Sequence, residues 1–316
     1  MNSRFLNNSH KLPEMTMVLA LISNGCTFEQ IKVIMGCKQN SMHALISQYF
    51  GKSNSCYINL RKFLSDEHCL RMWMMITQLK GEFGLKFIKK LIYPGFVCVF
   101  TFISLIFFKV TLLPKIQSMF AIERSETIFT VFNMVVFVQV IIYMCLAIGL
   151  ILLKTGLNNP EIRNFIYLKL HSKIKDNLLT VYTTGLFSRM MLECIKSGVS
   201  TQNSLELLAK FNEYPFIALL ARNCSNRLSE GHTFTDSISG IETDSSFKYF
   251  MQLGLYENNV ITQLNNYCDF NSKWLESKLQ KMIDILYFFV YIQFSVSVVL
   301  LYQIIQIPIS MIHSMM

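Results

Sequence analysis

Hydrophobic positions in this chain follow two different patterns. In three places they run together without charge. Leu91 to Phe108, Thr127 to Leu153 and Ile285 to Met316 contain no Asp, Glu, Lys or Arg. A bilayer-spanning helix needs about 20 mostly apolar residues, and uncharged apolar runs of about 18 or more point to spanning rather than to a soluble core. Each block is therefore predicted to be a transmembrane helix. Elsewhere the hydrophobic residues recur with helical spacing. Phe187, Met190, Met191, Cys194 and Ile195 follow i, i+3, i+4, i+7, i+8, the stripe of an amphipathic helix. Gly198 is placed to close that helix, and Ser200 to cap the next, which carries Leu205, Leu208 and Ala209. Val18, Leu21 and Ile22 form a similar stripe. Gly25 closes it, and Thr27 with Gln30 makes a capping-box pair. Gly231 and Thr233 punctuate a further pair of helices, and a last long helix, about residues 259–283, is expected to enter the third span without a break. Pro94, Pro114, Pro160 and Pro308 are read as span ends or linkers.

The two segments LALISNGCTFEQIKVI and LECIKSGVSTQNSLEL share one order: helix, small polar residue, Gly, hydroxyl cap, helix. Each leads through a basic helix into a span that meets a proline. Gly25 to Pro114 is 89 residues and Gly198 to Pro308 is 110, so the first copy is shorter by 21. Internal duplication is the expected organisation. The predicted fold class is an all-α membrane protein: three transmembrane helices with two cytoplasmic helical bundles related by internal duplication, the first bundle shortened. The expected boundaries are 1–90 for the first bundle, 91–113 for the first span and 114–126 for a short extracytoplasmic loop. The second span follows at 127–153, the second bundle at 154–284, the third span at 285–307 and an extracytoplasmic tail at 308–316.

Charge sets the orientation. The chain has 52% hydrophobic and 16% charged residues, a mean hydropathy of +0.37 and a net charge of +9, against about 25% charge in an ordinary soluble domain. Residues 1–92 hold 12 basic and 5 acidic residues, and 154–284 hold 14 and 13. The loop KIQSMFAIERSE balances to zero, and no charge follows Asp284. The positive-inside rule then places the N-terminus and both bundles in the cytoplasm and the C-terminus outside, in a multi-pass cell-membrane protein. The polar start MNSRFLNNSHKLPEM does not look like a secretory signal peptide. Seven of nine cysteines fall in the cytoplasmic segments and two, Cys98 and Cys145, in spans, which suits reduced thiols. No phosphate-binding loop, metal-ligand spacing or nucleophile set is present. Neither an enzyme nor a cofactor is therefore expected.

Several motifs together resemble the F-type inner-membrane platform proteins of type II secretion and PilC-type type IV pilus systems. SGVSTQNSLELL at 197–208 is similar to that family's helix, small-Gly-hydrophobe, helix motif. RLSEGHTF at 227–234 is similar to its Gly turn, and LGLYENNVITQLNNYCDF at 253–270 to its acidic segment, with Glu257 at the acidic place. YPGF at 93–96, LLPKIQSMF at 112–120 and IPIS at 307–310 resemble its span boundaries. The short first bundle and the richness in Met, Phe and Lys look most like the competence pseudopilus members. The first copy departs from the family in lacking a clear acidic segment, KGEFG at 80–84 being a poor match. The resemblance implies a non-enzymatic platform that couples a cytoplasmic assembly ATPase to pilin-like subunits for DNA binding and uptake in transformation. The alternative within the class is a platform of a secretion or adhesive pilus system. A homo-oligomer embedded in the phospholipid membrane is expected, with no direct binding of nucleic acid.

With that expectation, Glu257, Asn258 and Asn259, at a turn between helices, are candidates for ATPase contact, against a plain polar turn. Lys86, Lys89 and Lys90 in GLKFIKKLIYP are candidates for the same contact, against a juxtamembrane cluster held to anionic lipid. Asn133 and Gln139 in the second span, with Gln293, Gln303 and Gln306 in the third, are candidates for helix or subunit contact. An amide is costly in hydrocarbon without a partner. The rival from another class is a membrane-tethered regulator, with residues 26–50 as a helix-turn-helix on DNA. Against it, the second, near-neutral segment has a similar hairpin with no basic recognition face.

Overall fold

The computed structural model describes residues 12–37, 39–50, 54–112, 114–115, 126–156, 160–174, 176–211 and 214–315. Among them all regular structure is helical, as expected. In chain order the helices are α1 (Leu12–Ser23), α2 (Phe28–Met35), α3 (Met42–Phe50), α4 (Asn54–Leu60), α5 (Asp66–Phe107), α6 (Glu126–Gly156), α7 (Pro160–Lys173), α8 (Leu178–Lys196), α9 (Thr201–Ala209), α10 (Pro215–Ser229), α11 (Phe234–Ser239), α12 (Ser245–Tyr256) and α13 (Val260–Met315). A π-helical turn, Phe108–Leu112, continues α5. The chain forms two compact units, 1–85 with 160–278, and 86–159 with 279–316.

The turns of the first unit follow from the sequence signals. Gly25 and Gly198 both lie in the left-handed region, at φ 77° and 80°. Their N–H groups reach back three residues, to the carbonyls of Ile22 at 2.9 Å and Ile195 at 3.0 Å. The following N–H groups reach back five, to Leu21 at 3.0 Å and Cys194 at 3.1 Å. This double closure satisfies the last carbonyls of the helix and requires a residue that tolerates positive φ. Gly231 closes α10 in the same way, onto Leu228 and Arg227. Caps follow two residues later: Ser200 accepts from Asn203 N–H at 3.3 Å, and Thr233 from Asp236 N–H at 3.1 Å. At Thr27 the backbone N–H donates to Gln30 Oε1 at 2.8 Å.

The hydrophobic core of this unit draws on both sequence segments. Val18, Ile31, Ile46, Leu70, Phe187, Met190, Met191, Cys194, Leu205 and Leu208 are fully buried within one cluster. A fully buried carboxylate, Glu193 of α8, faces basic groups of both segments. His68 Nδ1 lies 3.4 Å away, Arg71 Nε 3.8 Å and Lys196 Nζ 3.9 Å. Arg71 also holds Glu67 at 2.8 Å, which with the Ser23 hydroxyl keeps the Glu67 carboxyl below its ordinary range. The eight described cysteines are free. Burial pushes Cys69 and Cys194 up to about 12, so they remain protonated thiols.

A second polar network ties α8 to α13. Arg189 Nη1 donates to Gly185 O at 2.7 Å and to Asn271 Oδ1 at 3.3 Å. Its Nη2 donates to Cys268 O at 2.9 Å and to Ser272 Oγ at 2.7 Å. Asn271 Nδ2 donates to Val181 O at 2.9 Å and to Tyr267 Oη at 3.1 Å. The Tyr267 hydroxyl donates in turn to Asp244 Oδ2. Gly185 is required there, because a Cβ would stand 2.0 Å from Asn271 Oδ1.

Among the described residues two helices are long and apolar enough to cross a membrane: Ile88–Thr111, in the second unit, and Val260–Gln306, which begins in the first unit and belongs to the second from residue 279. Thr130–Cys145 is a shorter apolar stretch within the 31-residue α6. Leu105, Phe132, Val136, Leu300 and Ile304, from all three helices, form the core of the second unit. Pro94 and Pro308 do not interrupt their helices: α5 runs through the first, and α13 through the second to Met315, although the stretch of α13 apolar enough to cross a membrane closes at Gln306, two residues before Pro308. A proline inside a helix leaves the carbonyl four residues earlier without its donor. For Pro94 that is Lys90 O, and the Tyr287 hydroxyl of α13 approaches it at 3.3 Å. The helix continues because a neighbour supplies the missing donor. Pro160 does open a helix, as expected. Most of the 114–126 loop and residues 1–11 lie outside the described residues.

Candidate functional site

The turn singled out by Glu257, Asn258 and Asn259 joins α12 to α13. All three residues are exposed. Asn258 takes the left-handed conformation, φ 52°, that glycine holds at the other turns; Asn tolerates it best among residues with a side chain. Asn259 N–H donates to Gly254 O at 2.8 Å, and Thr262 N–H to Asn259 Oδ1 at 3.4 Å. Gly254 is needed for the close approach, since a Cβ there would lie 3.0 Å from Val260 Cα. Gln263 Nε2 donates to Glu257 Oε2 at 2.8 Å, which fixes the carboxylate at the surface.

Beside this turn lies a feature that periodicity did not single out. Thr235, Tyr249, Gln252, Leu253, Leu255 and Tyr256 line an open groove of about 570 Å³. Tyr256 is 89% exposed and Tyr249 64%. Exposed tyrosines of this kind combine apolar area with a polar tip, which suits a protein contact. The signal in the sequence was two tyrosines seven residues apart on one helix, easily taken for core.

The basic candidates belong to the other unit. Lys89 is exposed. Lys90 Nζ donates to Gln280 Oε1, and Gln280 Nε2 to Asp284 Oδ1 at 2.6 Å. The Lys90 ammonium is therefore already engaged by α13. The side chain of Lys86 lies outside the described ones. The structure does not bring the lysines and the turn residues into one unit.

Among the span amides, Gln293 has the clearest role. Its Nε2 donates to Tyr143 Oη at 2.5 Å, Cys98 Sγ lies 3.8 Å from its Oε1, and the Tyr143 hydroxyl approaches Cys98 O at 3.5 Å. One residue from each of α5, α6 and α13 thus meets in a polar knot, with Phe102 edge-on to Tyr143 at 5.1 Å. Gln139 is buried with its Oε1 unpaired among the described residues. Asn133 is half-buried. Gln303 and Gln306 are exposed, Gln306 bonding Tyr302 Oη of its own helix at 2.6 Å. Gln293→Leu should lower the thermal midpoint of the detergent-solubilised protein by about 2–4 °C, the size of a hydrogen-bond knot worth about 1 kcal/mol. Gln139→Leu should leave it unchanged or raise it, since an unpaired acceptor is removed.

Among the described residues no group of three or more His, Cys, Asp or Glu is arranged to hold a metal ion. No curated protein and no solved structure gives a significant match to the chain. Residues 187–308, from the middle of α8 to Pro308 in α13, match the family model described as Type II secretion system (T2SS), protein F; the chain carries a T2SSF domain.

Proposed function

We propose that this chain is the integral-membrane platform of a competence-type pseudopilus, coupling a cytoplasmic assembly ATPase to pilin-like subunits for DNA uptake. The observation that carries the platform reading is the T2SSF match over 187–308, which joins the second helical segment to the last span. In this reading α6 supplies a third span between the two that pass on length and hydropathy. The helical segments before α5 and after α6 are diverged copies, and the matching closures at Gly25 and Gly198 support that. Both termini then lie on opposite faces, with the bundles in the cytoplasm. The protein is a scaffold without a catalytic role, and the ATPase docks at the α12–α13 turn, where Glu257 and Asn258 stand beside the Tyr249–Tyr256 groove.

The competence assignment rests on the sequence resemblance alone; a platform for a secretion or type IV pilus system is the alternative. The regulator reading of 26–50 is not favoured. Its would-be recognition helix α3 contains no Lys or Arg and turns Leu45, Ile46 and Tyr49 inward.

The test is co-purification of the full-length protein with its cognate assembly ATPase. Tyr256→Ala with Glu257→Ala should reduce recovery of the ATPase at least about tenfold, as loss of a hot-spot pair would. Unchanged recovery would reject the docking site, and no recovery with the unaltered protein would reject the platform mechanism.

A further inference from the structure

Helix α7 is apolar on two opposite sides. One side packs inward: Tyr167 is buried, stacks on Phe216 at 4.9 Å and donates from its hydroxyl to Glu242 O at 2.8 Å. Thr180 Oγ1 lies 3.5 Å from His171 Nδ1 on the same side. The other side carries Ile162, Phe165, Lys169, Leu170 and Lys173, spaced i, i+3, i+7, i+8, i+11, and all are exposed. Phe165 is 61% exposed, and so is Ile174 just beyond the helix. The Lys169 ammonium sits over the Phe165 ring, 5.2 Å from its centroid. A surface helix of a soluble bundle would turn charged and polar residues outward here. This one turns out isoleucine, phenylalanine and leucine, interleaved with lysine and with no acid on the stripe.

That composition selects among possible covers. A bundle core would not take two ammonium groups, and an ordinary protein surface would not need three large apolar side chains beside them. The combination fits the boundary between anionic headgroups and acyl chains, where aliphatic and aromatic groups enter the hydrocarbon edge and lysines reach phosphate. Chain position agrees, for only three residues separate Gly156 at the end of α6 from Pro160 at the start of α7. Lys154, Arg163 and Lys175 add basic residues to the same stretch of sequence.

We propose that α7 is an interfacial anchor: it lies in the cytoplasmic headgroup layer of an anionic bilayer. Ile162, Phe165 and Leu170 enter the acyl boundary, and Lys169 and Lys173 pair with lipid phosphates. The anchor would hold the T2SSF bundle against the membrane surface instead of leaving it on a free tether. This rests on the membrane-spanning reading of the chain, and the test keeps the two apart.

Phe165→Trp is made in the full-length protein, reconstituted in nanodiscs of mixed phosphatidylglycerol and phosphatidylcholine. Its fluorescence is measured as the difference from the parent, whose tryptophans are Trp73 and Trp274. Lipids brominated near the headgroup end of the acyl chain should quench the added signal by about half, and lipids brominated near the terminal methyl much less. In pure phosphatidylcholine, or with Lys169→Glu and Lys173→Glu together, shallow quenching should fall by roughly twofold. A parallel Phe289→Trp reports on the third span, where Phe289 is exposed along α13. Deep quenching at 289 with none at 165 would overturn the anchor, whether the indole introduced by Phe165→Trp emits as in water or as in a protein contact. No quenching at either position would overturn the membrane reading itself.

Discussion

Arg189→Ala is expected to lower the stability of the T2SSF bundle by about 3–5 kcal/mol, or roughly 6–20 °C in thermal midpoint. Buried charge sets the size of the effect. Arg189 is 9% exposed, and a chain of neutral groups links it to the buried carboxylate of Asp244. Arg189 donates to Asn271, Asn271 to Tyr267 and Tyr267 to Asp244, so every donor along the chain points from cation to anion. Removing the guanidinium leaves a cavity between α8 and α13 and leaves Gly185 O, Cys268 O and Ser272 Oγ each without one donor. Arg189→Lys should recover part of the loss, because an ammonium can keep one or two of the four contacts but cannot fork. The measurement is thermal unfolding of the full-length protein in detergent, followed with a thiol-reactive dye that reports exposure of the buried Cys194, Cys224 and Cys268. A midpoint for the alanine variant within about 2 °C of the parent would refute this account of the network.

Neither end of that network could be read from the sequence, and the reason is physical. Helix stripes and caps are local: Phe187 to Ile195, Gly198 with Ser200, Gly231 with Thr233 and the break-free entry of α13 into its apolar stretch all depend on residues within a few positions of one another. The structure places the turns, the caps and the unbroken α13 as their spacing requires, but α8 is buried on every face from Thr183 to Cys194 rather than along one stripe. Arg189 and Asn271 stand 82 residues apart, and Glu193 meets His68 across 125. In a sequence, a charged residue inside an amphipathic helix looks like solvent-facing surface until its partner is known. The continuity of α5 through Pro94 was hidden for a related reason. Pro94 ends a helix only if nothing else offers a donor to Lys90 O, and Tyr287, nearly 200 residues away, does. At the candidate site the turn at Asn258 was legible from its polar run. The tyrosine groove beside it was not, because periodicity alone does not tell an exposed Tyr249 from a buried Tyr267.

The second large effect is a pH dependence centred on Asp244. Burial is the main cause that raises its carboxyl from 3.8 to about 6, with Asp176 adding to the rise, while the Tyr267 hydroxyl and the Phe247 N–H oppose it. A raised carboxyl pKa means that the folded protein binds this proton more tightly than the unfolded chain. The stabilisation from that proton is fully present below about pH 3.8 and is lost as pH rises through about 6. Two pKa units correspond to about 3 kcal/mol between those limits. Asp244→Asn removes the titration while an amide oxygen still caps α12 at Phe247 N–H, where the carboxylate now accepts at 2.8 Å. The midpoint difference, variant minus parent, should therefore move in favour of the variant between pH 4.5 and pH 7.5, by about 4–10 °C. Groups not coupled to Asp244 shift parent and variant alike and cancel in the difference, which therefore reports Asp244 with its neighbour Asp176. Glu67 serves as the contrast: its pKa is lowered from 4.5, mainly by the bond from Arg71, so its contribution is lost only as pH falls below that value, and the Glu67→Gln difference should stay nearly flat between pH 4.5 and pH 7.5. A variant-minus-parent difference for Asp244→Asn that stays flat across this range would mean that the carboxyl is not held above its ordinary value.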